Sequence, residues 1–274
     1  KTRLKILLKE KNFKFIKKDV SNILKLKEKN IDLIIHLAGE AGVRESIAKP
    51  NFYIEENTQN TVKVFEYANK FKIRNVFYAS SSSVYGNCNT YPSSEELVIN
   101  KPISIYGLSK AACELLAYYY NFIFKINSIG FRFFTVYGPL GRPDMSMNIF
   151  IKSILNGDKF PLNNNGKNYR DYTYVIDIVN YIFACYQKIK NKKNYLEIFN
   201  IGGEKNIRLD KLVKMIEKFT NIKSKAVNFP KINLDPTTSL ANNKKIKKFT
   251  RKKCNTSIED GVKKTIDSFK SKGL

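Results

Sequence analysis

Residues 76–86 read Val76-Phe77-Tyr78-Ala79-Ser80-Ser81-Ser82-Ser83-Val84-Tyr85-Gly86, an apolar run that passes directly into four hydroxyls. A short apolar run of this kind is the pattern of a strand buried on both faces of a parallel sheet. The hydroxyls then emerge at its carboxyl end, where open α/β sheets bind ligands. Ile31–Leu37 is a similar run before it, and Ser128–Phe134 another after it, ending in Thr135-Val136-Tyr137-Gly138-Pro139. Between them Pro50 opens a helix to about Phe71, with Phe52, Ile54, Val62, Phe65 and Ala68 as its inward stripe. Tyr106–Phe124 reads as a second helix. Strands alternating with helices predict βαβ units.

Upstream lie a basic helical fragment, Lys1–Lys11, and a short alternating strand, Phe13–Ile16, followed by Asp19-Val20. Beyond Pro139 the rhythm loosens: Asn148–Leu155 reads helical, Tyr172–Val175 extended, Ile176–Ile189 helical, Ile198–Ile201 extended and Leu209–Phe219 helical. The expected class is α/β. A doubly wound, Rossmann-like parallel-sheet domain covers residues 1–140, with some later elements returning to it, and a smaller mixed α/β substrate lobe covers 141–274. A dinucleotide-binding sheet normally opens with a strand, a glycine-rich turn and a helix. No such turn is present; Gly39 and Gly42 follow a later strand and lack a third glycine. The expectation is a domain lacking its first βαβ unit, about 30 or more residues, which on its own binds a dinucleotide poorly and is inactive.

Composition narrows the function classes. Of 274 residues, 43% are hydrophobic, enough for a sizeable core. No apolar run approaches the roughly 20 residues that span a bilayer, and no signal peptide is expected. Cys88, Cys113, Cys185 and Cys254 are scattered, and His36 is the single histidine. That pattern excludes a disulfide scaffold, argues against a metal site and fits a cytoplasmic protein. The net charge of +25 comes from lysines spread through every segment, a solvation pattern and not a nucleic-acid face.

Two elements carry chemistry. Tyr106-Gly107-Leu108-Ser109-Lys110 places a phenol and an ammonium four residues apart, on one helix face. Such an ammonium is expected to lower the phenol's pKa, so that it takes a proton from a substrate hydroxyl. Ser81, at the strand end, is placed to hydrogen-bond the reacting hydroxyl. His36, among apolar neighbours, reads as a packed core residue. Gly202-Gly203 reads as a turn, since no Lys-Ser/Thr follows it.

With these motifs stand His36–Ile47, Gly130–Pro139, Gly141-Arg142-Pro143-Asp144-Met145 and Arg170–Val175. Together they resemble the extended short-chain dehydrogenase/reductase family, in its branch of NAD-dependent nucleotide-sugar epimerases and dehydratases. The resemblance implies Tyr106 as general base, Lys110 as its partner on the nicotinamide ribose, and Ser81 beside the sugar 4-OH. It places Asp19 and Val20 near the adenine, and Leu37, Ala38, Ala79, Ser80 and Phe133 along the NAD pocket. Asn57 matches an asparagine that supports the active-site backbone. Ser82, Ser83, Thr135, Arg142, Arg170 and Asp235 match the sugar-nucleotide side, although Asn233-Leu234-Asp235-Pro236 departs from the usual Gly-Asp-Val pattern. Resembling dehydratases carry Asp-Glu after the catalytic hydroxyl, and resembling decarboxylases a glutamate at position 83. Ser82 and Ser83 stand there instead, neutral donors able to bind a carboxylate, with Arg142 as an added cation. The implied reaction is C4 epimerisation of a UDP-sugar, UDP-glucuronate to UDP-galacturonate, through a 4-keto intermediate. The alternatives are a neutral or N-acetylated UDP-hexose, or a non-catalytic relative that binds nucleic acid or protein. Relatives commonly form homodimers through the helices at 50–71 and 106–124.

Overall fold

A computed structural model describes residues 2–231 and 236–272 of the chain. In chain order the first elements are α1 (Thr2–Leu7), β1 (Ile34–His36), α2 (Val43–Ala48), α3 (Pro50–Tyr53), α4 (Asn60–Lys70), β2 (Asn75–Ser81) and α5 (Ile105–Phe124). Then come β3 (Asn127–Phe133), β4 (Thr135–Tyr137), α6 (Ser146–Asn156), β5 (Lys159–Asn163), β6 (Tyr169–Tyr174), α7 (Val175–Ile189) and β7 (Leu196–Ile201). The last are β8 (Asn206–Arg208), α8 (Leu209–Thr220), β9 (Lys225–Phe229), α9 (Lys244–Thr250) and α10 (Ile258–Lys272).

Alternation along the strands decides the layering. Val76 and Tyr78 of β2 face α4 and α5, packing with Phe65, Ala68, Cys113 and Tyr120. Phe77 faces the other way, and with Ile129 and Phe131 it packs on Ile178, Tyr181 and Cys185 of α7. Each such side chain, fully buried, contributes about 1.5–3 kcal/mol. Helices therefore cover both faces of a parallel sheet with strand order β1-β2-β3-β7. The chain leaves this sheet after β3 and returns to it at β7. The intervening and following elements form a second layer system, β4-β6-β8 and β5-β9 with α6, α8 and α10, around Tyr137, Phe150, Leu212, Ile216 and Ile266.

The structure corrects four local expectations. Phe13–Ile16 forms no strand, because it finds no ladder partner among the described residues. The opening helix ends at Leu7, with none of its residues buried. The run Ile31–Leu37 condenses to the three-residue β1, which among the described residues pairs on one side only, with β2. Ile35 and Leu37 are 45% and 55% exposed, so this strand is not buried on both faces. In the long helix, a π-turn at Ile54–Gln59 separates α3 from α4 and shifts the inward face. Tyr53 and Asn57 turn in, while Phe52 turns out.

Candidate active site

Ser81 ends β2 in extended geometry and caps the short 3₁₀ turn Ser82–Tyr85, its Oγ accepting from Ser83 N at 3.2 Å. The start of α5 lies directly against this turn. Ser104 caps the helix by accepting from Gly107 N at 3.0 Å. A Cβ at Gly107 would stand 2.5 Å from the Ser83 carbonyl oxygen, so only glycine allows the approach. That approach brings the Tyr106 phenol close enough to Ser81 for the hydroxyl to lower its pKa. The Tyr53 ring meets Tyr106 edge-on at 6.3 Å.

Desolvation raises the Tyr106 phenol above its ordinary range, and the Ser81 hydrogen bond and the Arg142 charge oppose that rise. One turn further along α5, Lys110 is buried with its Nζ turned toward the end of β1. A Cβ at Gly39 would lie 3.4 Å from that Nζ and 2.5 Å from Asn57 Oδ1; Gly39 holds φ +150°. Burial lowers the Lys110 pKa, and no hydrogen bond to its ammonium forms among the described residues.

Asn57 fastens this corner. Its Nδ2 donates to Ser109 Oγ at 2.9 Å and to the Glu40 carbonyl at 3.0 Å, and its Oδ1 accepts from Glu40 N at 2.8 Å. His36 is buried and close to Thr61, Nε2 to Oγ1 3.2 Å. Its pKa is lowered to about 4, chiefly by burial and next by Lys110, so it is neutral near pH 7.

The remaining expected positions divide. Ser82 and Ser83 line a cleft with Tyr85, Tyr91, Ser104 and Ser239, and none of its described lining residues is a carboxylate. Arg142 acts electrostatically on Tyr106, pairs with Asp144 and donates to the Ala41 carbonyl at 3.1 Å. Arg170 is half-buried on β6 and acts electrostatically on Tyr91, while Thr135 is half-buried on β4. Leu37 and Ala38 lie exposed at the β1 end beside Gly39. Ala79 is half-buried on β2, and Phe133 stacks on Phe131 at 5.8 Å. Ser80 is the exception on β2: its hydroxyl turns away from the site and donates to Glu114 Oε1 at 2.5 Å. Asp19 spends its carboxylate capping a 3₁₀ turn, accepting from Ser21 N at 2.8 Å, and Val20 packs toward α4. Asp235 lies outside the described residues.

Several buried polar residues went unread in the sequence. Glu114 on α5 pairs with Arg132 on β3. Asp171 accepts from Ala241 N at 2.8 Å and from Gly203 N, and burial raises its pKa to about 6. The available signal was local: Glu114 is the single carboxylate of α5, and Arg132 stands alone in Gly-Phe-Arg-Phe-Phe. No cluster of three or more metal-ligating side chains occurs among the described residues, nor any helix long and apolar enough to cross a membrane.

Comparison with known proteins identifies the family. The profile of the NAD dependent epimerase/dehydratase family matches residues 4–202. An uncharacterized protein of Methanocaldococcus jannaschii is 41% identical over 97% of this chain and 82% of its own length. A UDP-glucuronate 4-epimerase of Thermodesulfobacterium geofontis is 35% identical over the same shares. The solved UDP-glucuronic acid 4-epimerase of Bacillus cereus, in complex with UDP-glucuronic acid and NAD, superposes with a TM-score of 0.91 at 30% identity. That match covers 98% of this chain and 85% of that one.

Proposed function

Since the chain belongs to the NAD dependent epimerase/dehydratase family, we propose that it is an NAD-dependent UDP-sugar 4-epimerase whose substrate is UDP-glucuronate. The observation that carries the reading is the Ser81 hydroxyl beside the Tyr106 phenol, at the carboxyl end of β2 and next to a cleft with no carboxylate among its described lining residues. That cleft suits an acidic sugar, because Ser82 and Ser83 bind a carboxylate without repelling it. Arg142 and Arg170 add the cations that a diphosphate or a uronate requires. We also assign residues 1–140 to the cofactor domain, with β7 returning to it, and 141–274 to the substrate lobe.

The residues at the end of β1 fit a dinucleotide. Lys110 offers a buried ammonium with open hydrogen-bonding capacity, and Gly39 keeps the wall beside it clear. Lys110 would hold the ribose, with Leu37, Ala38 and Ala79 along the same wall. NAD, when bound, supplies the acceptor for the hydrogen that leaves C4 and returns it to the opposite face.

The chain's own part is proton handling and orientation. Tyr106 takes the proton of the sugar 4-OH and gives it back, while Ser81 holds that hydroxyl in line. The nucleotide end stays anchored by Arg170 while the ring turns over. Ser82 and Ser83 fix the carboxylate, which disfavours loss of CO₂ from the keto-uronate.

The test is incubation with UDP-glucuronate and NAD, reading the configuration at C4 by proton NMR. UDP-galacturonate is expected, with no turnover by Tyr106→Phe. Turnover of UDP-glucose but not of UDP-glucuronate would overturn the substrate assignment, and turnover of neither would overturn the activity.

A further inference from the structure

Tyr106, Lys110 and Glu114 are spaced four apart and share one face of α5. The first two belong to the site just described; Glu114 is 5% exposed and meets the sheet. It accepts from Ser80 Oγ at 2.5 Å, from Arg132 Nε at 2.9 Å and from Arg132 Nη2 at 2.8 Å. Ser80 and Arg132 are directly paired neighbours on β2 and β3. The second face of the guanidinium is used as well. Arg132 Nη1 donates to Tyr85 Oη at 3.0 Å, and Tyr85 Oη donates to Asn200 Oδ1 at 2.7 Å. Asn200 Nδ2 in turn donates to the Ser93 carbonyl at 2.9 Å, and both Tyr85 and Ser93 line the cleft.

A buried ion pair is a weak source of stability, because the desolvation of both charges offsets their attraction. Its geometric consequence here is larger. The segment Ser80–Tyr85 is fastened at its first residue by Glu114 and at its last by Arg132, and the hydroxyls of Ser81, Ser82 and Ser83 lie between the two fastenings. Glu114 rides on the helix that carries Tyr106, so the same pair sets α5 against β2. We propose that Glu114 and Arg132 are positioning residues: they hold Ser81 on the Tyr106 phenol and hold Ser82 and Ser83 in the cleft.

This inference rests on the epimerase reading, and its test separates the two. Each fastening can be released alone, leaving the ion pair in place, by Ser80→Ala or by Tyr85→Phe. With ¹³C-labelled tyrosine, the Tyr106 ring signal is assigned by its loss in Tyr106→Phe and followed without substrate. Ser81→Ala is expected to move that signal, and Ser80→Ala to move it in the same direction. In turnover, Ser80→Ala is expected to lower kcat about tenfold with KM within about twofold, since a small misplacement of a reacting group is costly. Tyr85→Phe is expected to raise KM about fivefold with kcat largely kept. A Tyr106 signal unchanged by Ser80→Ala but moved by Ser81→Ala overturns the proposal, even if melting temperatures fall. A shifted signal in a chain that turns over no UDP-sugar supports the positioning role and overturns the epimerase reading alone.

Discussion

The single histidine makes the corner around Lys110 directly measurable. His36 lies on β1, buried, with its pKa lowered to about 4 from an ordinary 6.5, first by burial and then by the Lys110 charge. The native state thus favours the neutral ring. The stability this contributes is fully present above about pH 6.5, where both states are neutral, and is lost as pH falls through about 4. The difference of the two values corresponds to about 3 kcal/mol at the acid limit. One imidazole signal should appear in the NMR spectrum, titrating near pH 4. Lys110→Met should raise its midpoint yet leave it nearer 4 than 6.5, because burial is the larger cause. In denaturant unfolding, His36→Asn should lose the acid-side penalty, gaining about 3 kcal/mol on the unaltered chain between pH 7 and pH 4. A midpoint near 6.5 would refute the burial of the ring, whereas one indifferent to Lys110→Met would show that the ammonium does not lie against β1, and the assignment of Lys110 to the cofactor wall would go with it.

Other outcomes test other parts of the molecule. Asp171 has the opposite sign: its raised value favours the protonated form in the native state, so its contribution is present below about pH 4 and is lost as pH rises through about 6. Asp171→Asn should therefore gain about 2 kcal/mol on the unaltered chain between pH 4 and pH 7, read from urea midpoints; no gain would remove the buried charge from the account. Replacing Ser82 and Ser83 together by alanine should release a UDP-pentose from UDP-glucuronate, measured by chromatography, and an unchanged product ratio would deny them the carboxylate. The outer face of α5 carries Leu115 at 70% and Phe122 at 61% exposure, with Tyr118 and Tyr119 beside them. A homodimer through this face predicts that Tyr118→Glu with Phe122→Glu yields a monomer in sedimentation equilibrium without loss of helix.

The sequence made legible what depends on near neighbours. The β2 run and its four hydroxyls, the α5 register, and the shared face of Tyr106 and Lys110 all follow from spacing. Side-chain direction across elements does not. Lys110 points to the β1 end because Gly39 and Asn57 leave room there, and neither fact is visible within its own helix. The π-turn that brings Asn57 inward inserts one residue into a regular pattern, which turned the expected stripe from Tyr53 to Phe52. Strands β5 and β9 went unread for a different reason: Pro161 interrupts one, and the other buries no residue. The Glu114–Arg132 pair joins residues 18 apart through a helix and a strand, so its parts looked like isolated charges.

The two cations near the phenol are held differently, Lys110 buried at the end of β1 and Arg142 partly exposed against Asp144. Four residues of helix rise about 6 Å, which is enough to put Lys110 against the β1 end while Tyr106 stays against Ser81. The phenol's affinity for its proton is then a balance between desolvation, which raises it, and two neighbours that lower it, Ser81 and Arg142. Arg142 already shares its charge with Asp144 and is open to solvent, so its pull on Tyr106 is partly spent and screened. Ser81 combines burial with a backbone fixed at the end of β2. Removing Ser81 thus takes away a neighbour that favours the ionised phenol, whereas removing Lys110 loosens the wall beside Gly39.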